Sequence, residues 1–272
     1  MSPLVLTLII VFAGGIAGVL GALLGLGGGI FLVPLLNIVL GLPFREAVAV
    51  SLMTVIATSS AVSAGTAGRH LMNLRLGMLL EVATAAGGLA GGLTTEYIPD
   101  RTLQVTFAIL TAAIAVVMLT RLGRRNVIID PTVDPGLLGG RFHEDESGGT
   151  VVYRVKRLPL ALMASLLAGN VSSLLGIGGG IIKVPVLNAW CGVPLRAAAA
   201  TSAFMIGVTA VSAVPLYYAR GQVSETVAAA AVIGVLFGSH FGFWLGGRWK
   251  AKWLKALMAA VLAVVSLSYF LK

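Results

Sequence analysis

Two short stretches of this sequence combine residue types that can bind an anion inside an apolar segment. Residues 24–37 read LGLGGGIFLVPLLN, and residues 175–188 read LGIGGGIIKVPVLN. Three adjacent glycines disfavour a continuous helix, because each costs about 1 kcal/mol relative to alanine. Glycines also adopt open backbone conformations with free N–H groups. Each stretch is therefore predicted to interrupt one helix and to start a new one, near Ile30 and near Ile181.

The backbone at each predicted break is a candidate anion ligand. The first N–H groups of a helix lack intrahelical acceptors, and the helix dipole places partial positive charge there. We predict that both glycine triplets contact a substrate, through Gly27, Gly28, Gly29, Gly178, Gly179 and Gly180. The alternative is that the triplets serve close packing or act as hinges. A nucleotide-binding loop is excluded, because no Gly-Lys-Ser/Thr follows either triplet.

Polar side chains near the two breaks are further candidate ligands for a substrate anion. They are Asn37, Ser51, Lys183, Asn188 and Ser202. The asparagines and serines can donate to an oxyanion, or instead to a neighbouring backbone carbonyl. Lys183 falls in the first turn of the second new helix, where the first stretch has Leu32. A lysine there is unfavourable unless an anion or a carboxylate is close, or unless the side chain reaches the membrane interface.

Four more charged or titratable residues are assigned roles along a substrate pathway. Arg45 and Arg196 follow GLP and GVP at segment ends, where they either attract anions to the two mouths or anchor the segments at the interface. Glu81 and His240 lie within apolar segments, and each is a candidate carrier of a coupled proton.

The composition indicates that these residues belong to a polytopic α-helical membrane protein. The 272 residues are 58% hydrophobic and only 11% charged, and the mean hydropathy is +0.99. A soluble domain carries roughly twice that charged fraction. The N-terminal MSPLVLTLIIVFAGG lacks the basic region of a signal peptide and is taken as the first membrane segment. The net charge of +9 is attributed to cytoplasmic loops rather than to nucleic-acid binding.

Ten apolar segments follow one another in an order that repeats. They cover about 4–26, 30–40, 47–64, 76–94, 102–120, 159–175, 181–191, 197–216, 226–247 and 256–271. At an offset of 151, residues 24–51 and 175–202 share 16 identities in 28 ungapped positions. The chain is therefore read as a duplication, with repeats at 1–120 and 158–272 and a connector at 121–157.

The distribution of basic residues favours inverted rather than parallel repeats. If each half crosses the membrane three times, 14 Lys and Arg residues face the cytoplasm and 4 face outside. If each half crosses four times, the numbers become 11 and 7. Because basic residues collect in the cytoplasm, we predict inverted repeats, extracytoplasmic termini, and two broken helices that meet near the midplane.

Other sequence features are assigned to structure rather than to chemistry. The connector has basic flanks, an acidic HEDES centre, and the strand-like NVIID and TVVYRV, so we predict a small cytoplasmic β-hairpin or loop. Five GxxxG pairs are assigned to helix packing. They are Gly14/Gly18, Gly21/Gly25, Gly87/Gly91, Gly238/Gly242 and Gly242/Gly246.

The sequence offers little for metal, cofactor or covalent chemistry. Its one cysteine, Cys191, cannot form an internal disulfide, and the three histidines are scattered. We expect no metal and no cofactor. A metal-cation permease would have only Glu81 and His240 to use, and a membrane enzyme would need a base for Cys191. An anion channel would share the predicted site and lack the alternating gate.

The duplicated LGxGGGxxxVPxLN, the GxPxRxAxAxS after it, and the glycine-spaced segments at 87–91 and 238–242 resemble the TauE/SafE sulfite exporter family. This family is also called the toluene sulfonate uptake permease family. The resemblance implies a permease, not an enzyme, in the bacterial or archaeal plasma membrane. It implies sulfur-containing substrates: sulfite, organosulfonates such as sulfoacetate, or thiosulfate-like anions. It also implies about eight spans in two halves. The ten apolar segments found here include one short segment per half, so they correspond to about eight to ten membrane segments.

Overall fold

The computed structural model describes residues 3–24, 27–66, 71–120, 134–144, 149–246 and 251–270. Each of the ten predicted apolar segments forms a helix there. The first five are α1 (Pro3–Leu24), α2 (Gly29–Pro34), α3 (Phe44–Thr66), α4 (Leu74–Thr94) and α5 (Asp100–Thr120). The next five are α6 (Leu158–Leu175), α7 (Gly180–Ala189), α8 (Leu195–Ala219), α9 (Glu225–Gly246) and α10 (Ala251–Phe270). A π-helical turn, Leu35–Val39, extends α2, and a 3₁₀ turn, Thr95–Tyr97, follows α4.

Six helices of the described chain are long and apolar enough to span a bilayer. They are α1, α3, α4, α6, α8 and α9. Shorter apolar helices cover Gly29–Val39, Gly180–Ala189 and Ala260–Phe270. A spanning helix needs about 20 apolar residues, so the stretches after the two glycine triplets are too short to cross alone. The prediction of an all-α polytopic membrane protein is confirmed.

The helices of the two halves interleave. Helix α1 packs mainly against α9, and α4 packs mainly against α6. The offset of 151 relates α1 to α6 and α4 to α9, so these two pairings are equivalent. Helix α3 likewise packs on α8, and α5 on α10. Each half therefore buries its apolar faces against the other half. Inversion of the repeats stays a prediction.

Glycines permit the close approach of these helix pairs. A Cβ atom on Gly14 would lie 2.6 Å from the carbonyl oxygen of Ala231, and one on Gly18 would meet Val235 O. Gly87 meets the backbone of Leu166 in the equivalent way. Small residues at such positions let backbones contact directly in a membrane. The packing role predicted for Gly14/Gly18, Gly87/Gly91 and Gly238/Gly242 is confirmed, while the roles of Gly21/Gly25 and Gly242/Gly246 stay predictions, and Gly25 lies outside the described residues.

The connector contains the predicted hairpin. Strands β1 (Gly140–Glu144) and β2 (Gly149–Tyr153) pair antiparallel, with Phe142 opposite Val151. Strand β2 coincides with the predicted TVVY, whereas β1 is GRFHE, and NVIID falls outside the described residues. Alternate residues of a strand face the same way. Phe142, Val151 and Tyr153 are buried in one apolar cluster with Leu76 and Leu80 of α4. The hairpin is thus docked on the helices.

Candidate anion-binding site

The helix breaks lie where the sequence places them. Gly28 and Gly179 have φ of 61° and 63°, and helices α2 and α7 begin at the next residue. This left-handed conformation is open to glycine and costly for other residues. A side chain at Gly179 would also press on the carbonyl oxygen of Ala168, 2.8 Å from its Cβ. The triplets therefore serve both the break and the packing.

The two breaks lie against each other. Ser51 on α3 donates a 2.7 Å hydrogen bond to the carbonyl oxygen of Gly176, just before the second triplet. A Cβ atom on Gly29 would contact that same carbonyl oxygen and would lie 2.5 Å from Ser51 Oγ. The start of α2 is thus held directly on the break between α6 and α7.

Several N–H groups of the breaks are already used within the motifs. Gly180 N donates to Gly178 O at 2.7 Å, and Ile182 N and Lys183 N both donate to Gly179 O. An equivalent pattern occupies the first break. The adjoining apolar cavity, lined by Gly179 and Ile181, holds only about 10 Å³, roughly one water molecule. The space at the second break is therefore closed to an anion in this conformation, and a binding site there would depend mainly on side chains.

Lys183 is the clearest such side chain. Its exposed fraction is 1%, and its Nζ has no hydrogen-bond partner among the described residues. It lies in the first turn of α7, where the helix dipole adds positive rather than negative potential. The equivalent residue of the first half, Leu32, is also fully buried. The same packing position is thus charged on one side of the molecule and apolar on the other.

Glu81 on α4 is the residue whose charge interacts with that of Lys183. Its exposed fraction is 7%. Thr209 Oγ1 on α8 lies 2.9 Å from Glu81 Oε1, while Glu81 Oε2 has no hydrogen-bond partner in the described part of the chain. The offset of 151 matches Glu81 with Val232 of the other half. The fold therefore brings together two charges that both break the repeat symmetry.

Three serine hydroxyls on α6 and α8 are buried, and the two on α6 adjoin the second break. Ser172, Ser173 and Ser202 each have an Oγ that finds no hydrogen-bond partner within the described residues. The Cβ of Ser172 lies 3.3 Å from the Cβ position of Gly179. Ser172 and Ser173 correspond to Gly21 and Ala22 in the first half, so α6 has two buried hydroxyl groups that α1 lacks at the equivalent positions.

Ser172, Ser173 and Thr209 were not predicted from the sequence. Hydroxyls in apolar helices usually bond to the preceding turn, so their spacing alone carries little information. The sequence did contain one signal: at these two positions the second repeat has serine, whereas the first repeat has glycine and alanine.

The two predicted asparagine ligands close the ends of the short helices. Asn37 Nδ2 donates to Leu42 O at 2.8 Å, and Asn188 Nδ2 donates to Val193 O at 2.9 Å. Asn37 Oδ1 is buried without a hydrogen-bond partner among the described residues. These bonds give both amides a structural role, and contact with a substrate stays a prediction.

The remaining predicted residues lie at helix ends or on the surface. Arg45 pairs with Asp100 at 3.1 Å and donates to Ile98 O at 2.9 Å, so it ties α3 to the start of α5. Arg196 is exposed at the start of α8. His240 is exposed on α9, beside Phe237 and Phe241. A role in anion access or proton transfer stays a prediction for each.

The described part of the chain has few residues that could bind a metal ion or act as a nucleophile. No group of three or more His, Cys, Asp or Glu residues is placed to hold a metal ion there. Cys191, between α7 and α8, is fully buried, and burial raises the pKa of its thiol despite Arg157 nearby. A raised pKa lowers the fraction of reactive thiolate.

Comparison with known proteins covers almost the whole chain. Residues 10–269 match the sequence model of a family described as "Sulfite exporter TauE/SafE". A Bacillus subtilis (strain 168) protein named "Probable membrane transporter protein YunE" is 25% identical over 264 residues, which are 94% of each chain. A Methanocaldococcus jannaschii protein, also named a probable membrane transporter protein, is 25% identical over 279 residues, covering 97% of this chain and 95% of its own. No solved structure matches.

Proposed function

This chain belongs to the TauE/SafE sulfite exporter family, and from that premise we propose that it is a secondary transporter of small sulfur-containing anions. The family and the relatives make it a membrane transporter. The proposed substrates are sulfite, sulfoacetate or other organosulfonates. The proposed direction is export across the plasma membrane of a bacterium or archaeon, with both termini outside the cytoplasm.

The observation that carries the proposal is the buried ammonium of Lys183, which has no hydrogen-bond partner among the described residues. A charge in a low-dielectric interior is costly unless it is paired and hydrogen-bonded. Ionisable residues inside membrane segments accordingly mark substrate pathways. A sulfur oxyanion would give Lys183 Nζ a hydrogen-bond acceptor, which it does not have among the described residues. It would also bring the negative charge that the start of a helix favours.

The surrounding groups suit the same ligand. The Ser172, Ser173 and Ser202 hydroxyls can donate to the oxygens of a sulfite or sulfonate group. We place the anion beside the glycine breaks, between these hydroxyls and Lys183. Because the second break is closed here, substrate access requires the helices around it to move. Broken helices at a repeat interface that rocks between two openings are a recurrent design in secondary transporters.

Flux and binding measurements with a matched pair of variants test the proposal. Purified protein in liposomes should move sulfite or sulfoacetate down a gradient. Lys183→Met keeps the length of the side chain and removes its charge, while Leu32→Met makes a similar apolar side chain at the equivalent position. Loss of one partner of a buried charged contact costs about 2 kcal/mol or more, so Lys183→Met should weaken anion binding roughly thirtyfold.

Leu32→Met should bind and transport as the wild type does. Wild-type affinity in Lys183→Met would remove Lys183 from the site. Absence of flux and of binding for both anions in the wild type would reject the proposed substrate class.

A further inference from the structure

We propose that Glu81 and the substrate anion alternate as counter-ion of Lys183, and that Glu81 takes up one proton when the anion binds. This inference rests on the proposed function and deepens it, since it assigns a proton-binding site to the same pathway. It also assigns the proton as the coupling ion: one proton moves with each monovalent anion, such as hydrogensulfite, so export would be driven by the outward anion gradient and opposed by an acidic exterior.

Glu81 and Lys183 can each still form a hydrogen bond with a third group. Glu81 Oε2 and Lys183 Nζ are both buried, and neither has a hydrogen-bond partner among the described residues. Their charges nevertheless interact. Without substrate, the carboxylate therefore balances the ammonium at a distance rather than by direct contact. An anion beside Lys183 would replace that long-range balance with a direct bond.

Charge balance then requires the proton. The resting pair is neutral, and an added monovalent anion would leave one uncompensated negative charge in a buried site. Such a charge is strongly unfavourable in a low-dielectric interior. Protonation of Glu81 restores neutrality while the ammonium stays paired with the anion. Release of the anion reverses both steps, so anion and proton leave together.

Thr209 fits both protonation states of Glu81. Its Oγ1 lies 2.9 Å from Glu81 Oε1 and also 2.9 Å from the carbonyl oxygen of Met205. A hydroxyl donates one proton and accepts through its lone pairs. It can donate to the ionised carboxylate, or donate to Met205 O while it accepts from the protonated carboxyl. The site thus keeps a hydrogen bond to Glu81 in either state.

Lys183 is the charged group that acts on Glu81 from the elements around it. Helix α6 carries no acidic or basic residue, and Lys183 is the only one on α7. Other titratable groups on α4, on the 3₁₀ turn after it and on α8 lie at least six residues along the chain from Glu81 or Thr209, roughly 9 Å or more at 1.5 Å per residue. They are Arg75, Glu96, Arg196, Tyr217 and Tyr218. Tyr153 of the hairpin bonds to Asn73, eight residues before Glu81.

The equivalent positions in the opposite halves supply a neutral control for the pair. Val232 and Leu32 occupy the positions equivalent to Glu81 and Lys183. A Glu81→Val, Lys183→Leu double variant therefore copies side chains that the fold already accommodates. It removes both charges at once and leaves neither unpaired.

Proton counting during anion binding tests the proposal. Calorimetry on the full-length protein in lipid nanodiscs, in buffers of different ionisation enthalpy, gives the protons taken up per sulfite bound. Sulfite titrates itself, so Glu81→Gln, which mimics the protonated acid, provides the baseline. The wild type should take up one proton more than this variant. For each unit fall in pH, the affinity of the wild type for sulfite should rise about tenfold more than that of Glu81→Gln, because binding and proton uptake are linked. The double variant should stay folded and lose sulfite binding.

The contrary outcomes separate the two proposals. Equal proton uptake in wild type and Glu81→Gln, or loss of binding in Glu81→Gln, overturns the counter-ion exchange and leaves the proposed function standing. Undiminished sulfite binding by a folded double variant also overturns it. Absence of sulfite binding in the wild type overturns both proposals together.

Discussion

Ser51 on α3 donates a 2.7 Å hydrogen bond to the carbonyl oxygen of Gly176, and both groups are buried. The bond joins the first half of the chain to the break of the second half. Its equivalent by sequence, Ser202, has no hydrogen-bond partner among the described residues. The two serines thus occupy equivalent positions but differ in role: Ser51 stabilises the fold, and the hydroxyl of Ser202 is available to a ligand.

This difference predicts unequal effects of the same substitution. Ser51→Ala leaves a buried carbonyl without its donor, which costs about 1–3 kcal/mol. Ser202→Ala removes a hydroxyl that has no hydrogen-bond partner among the described residues, so its effect on stability should stay within about 0.5 kcal/mol. Thermal unfolding in detergent measures both. Equal losses of stability would contradict the assignment of the two hydroxyls.

Close packing at the helix pairs predicts strong sensitivity at specific glycines. Gly87→Ala and Gly238→Ala would each drive a methyl group into the backbone of the neighbouring helix, at Leu166 and Gly15. Overpacking of this kind costs about 1–3 kcal/mol. Thermal stability and the yield of monodisperse protein should both fall.

Gly15→Ala is the matched control for these two variants. Its nearest neighbour is Gly234 O, 3.8 Å from the Cβ position, so the methyl group fits. Alanine also favours the helix over glycine by about 1 kcal/mol. Stability should stay level or rise, and a loss as large as that of Gly87→Ala would contradict the packing geometry.

Asn73 predicts a separable attachment of the connector hairpin. Its Oδ1 accepts from Leu76 N and caps α4, while its Nδ2 donates to Leu138 O and to Tyr153 Oη. Asn73→Asp keeps the cap and loses both donors. Amide exchange in residues 134–144 and 149–153 should speed up about tenfold, for a loss of about 1.4 kcal/mol, while α4 keeps its protection. Faster exchange in α4 as well would show that the two roles are not separable.

Cys191 gives a reporter of the same region. Burial raises the pKa of its thiol, so the thiolate fraction at neutral pH is lower than for an exposed cysteine. Maleimide should label the native protein slowly, and the rate should rise with pH as the thiolate forms. Protein unfolded in detergent should react much faster. Rapid native labelling at pH 7 would contradict the buried position.

Much of the fold follows from the sequence because its signals are local. Apolar segment length, the triple glycines and the offset of 151 predict the ten helices and both breaks to within a few residues. The candidate site is less accessible from sequence. Lys183 was identifiable because a charge in the first turn of a buried helix is conspicuous. Asn37 was expected to serve a ligand, yet its amide closes the end of its own helix.

The sequence by itself therefore determined the class of protein, the duplication and the position of each helix break. Hydrophobicity and backbone preference act over a few residues, and they can be read without knowing what the chain contacts. Only the tertiary structure decided which polar groups meet. Glu81 and Lys183 belong to different halves, and interleaving of α4 with α6 and α8 brings their charges within reach. Repeat symmetry is also broken on α6, where Ser172 and Ser173 stand at the positions that Gly21 and Ala22 occupy on α1.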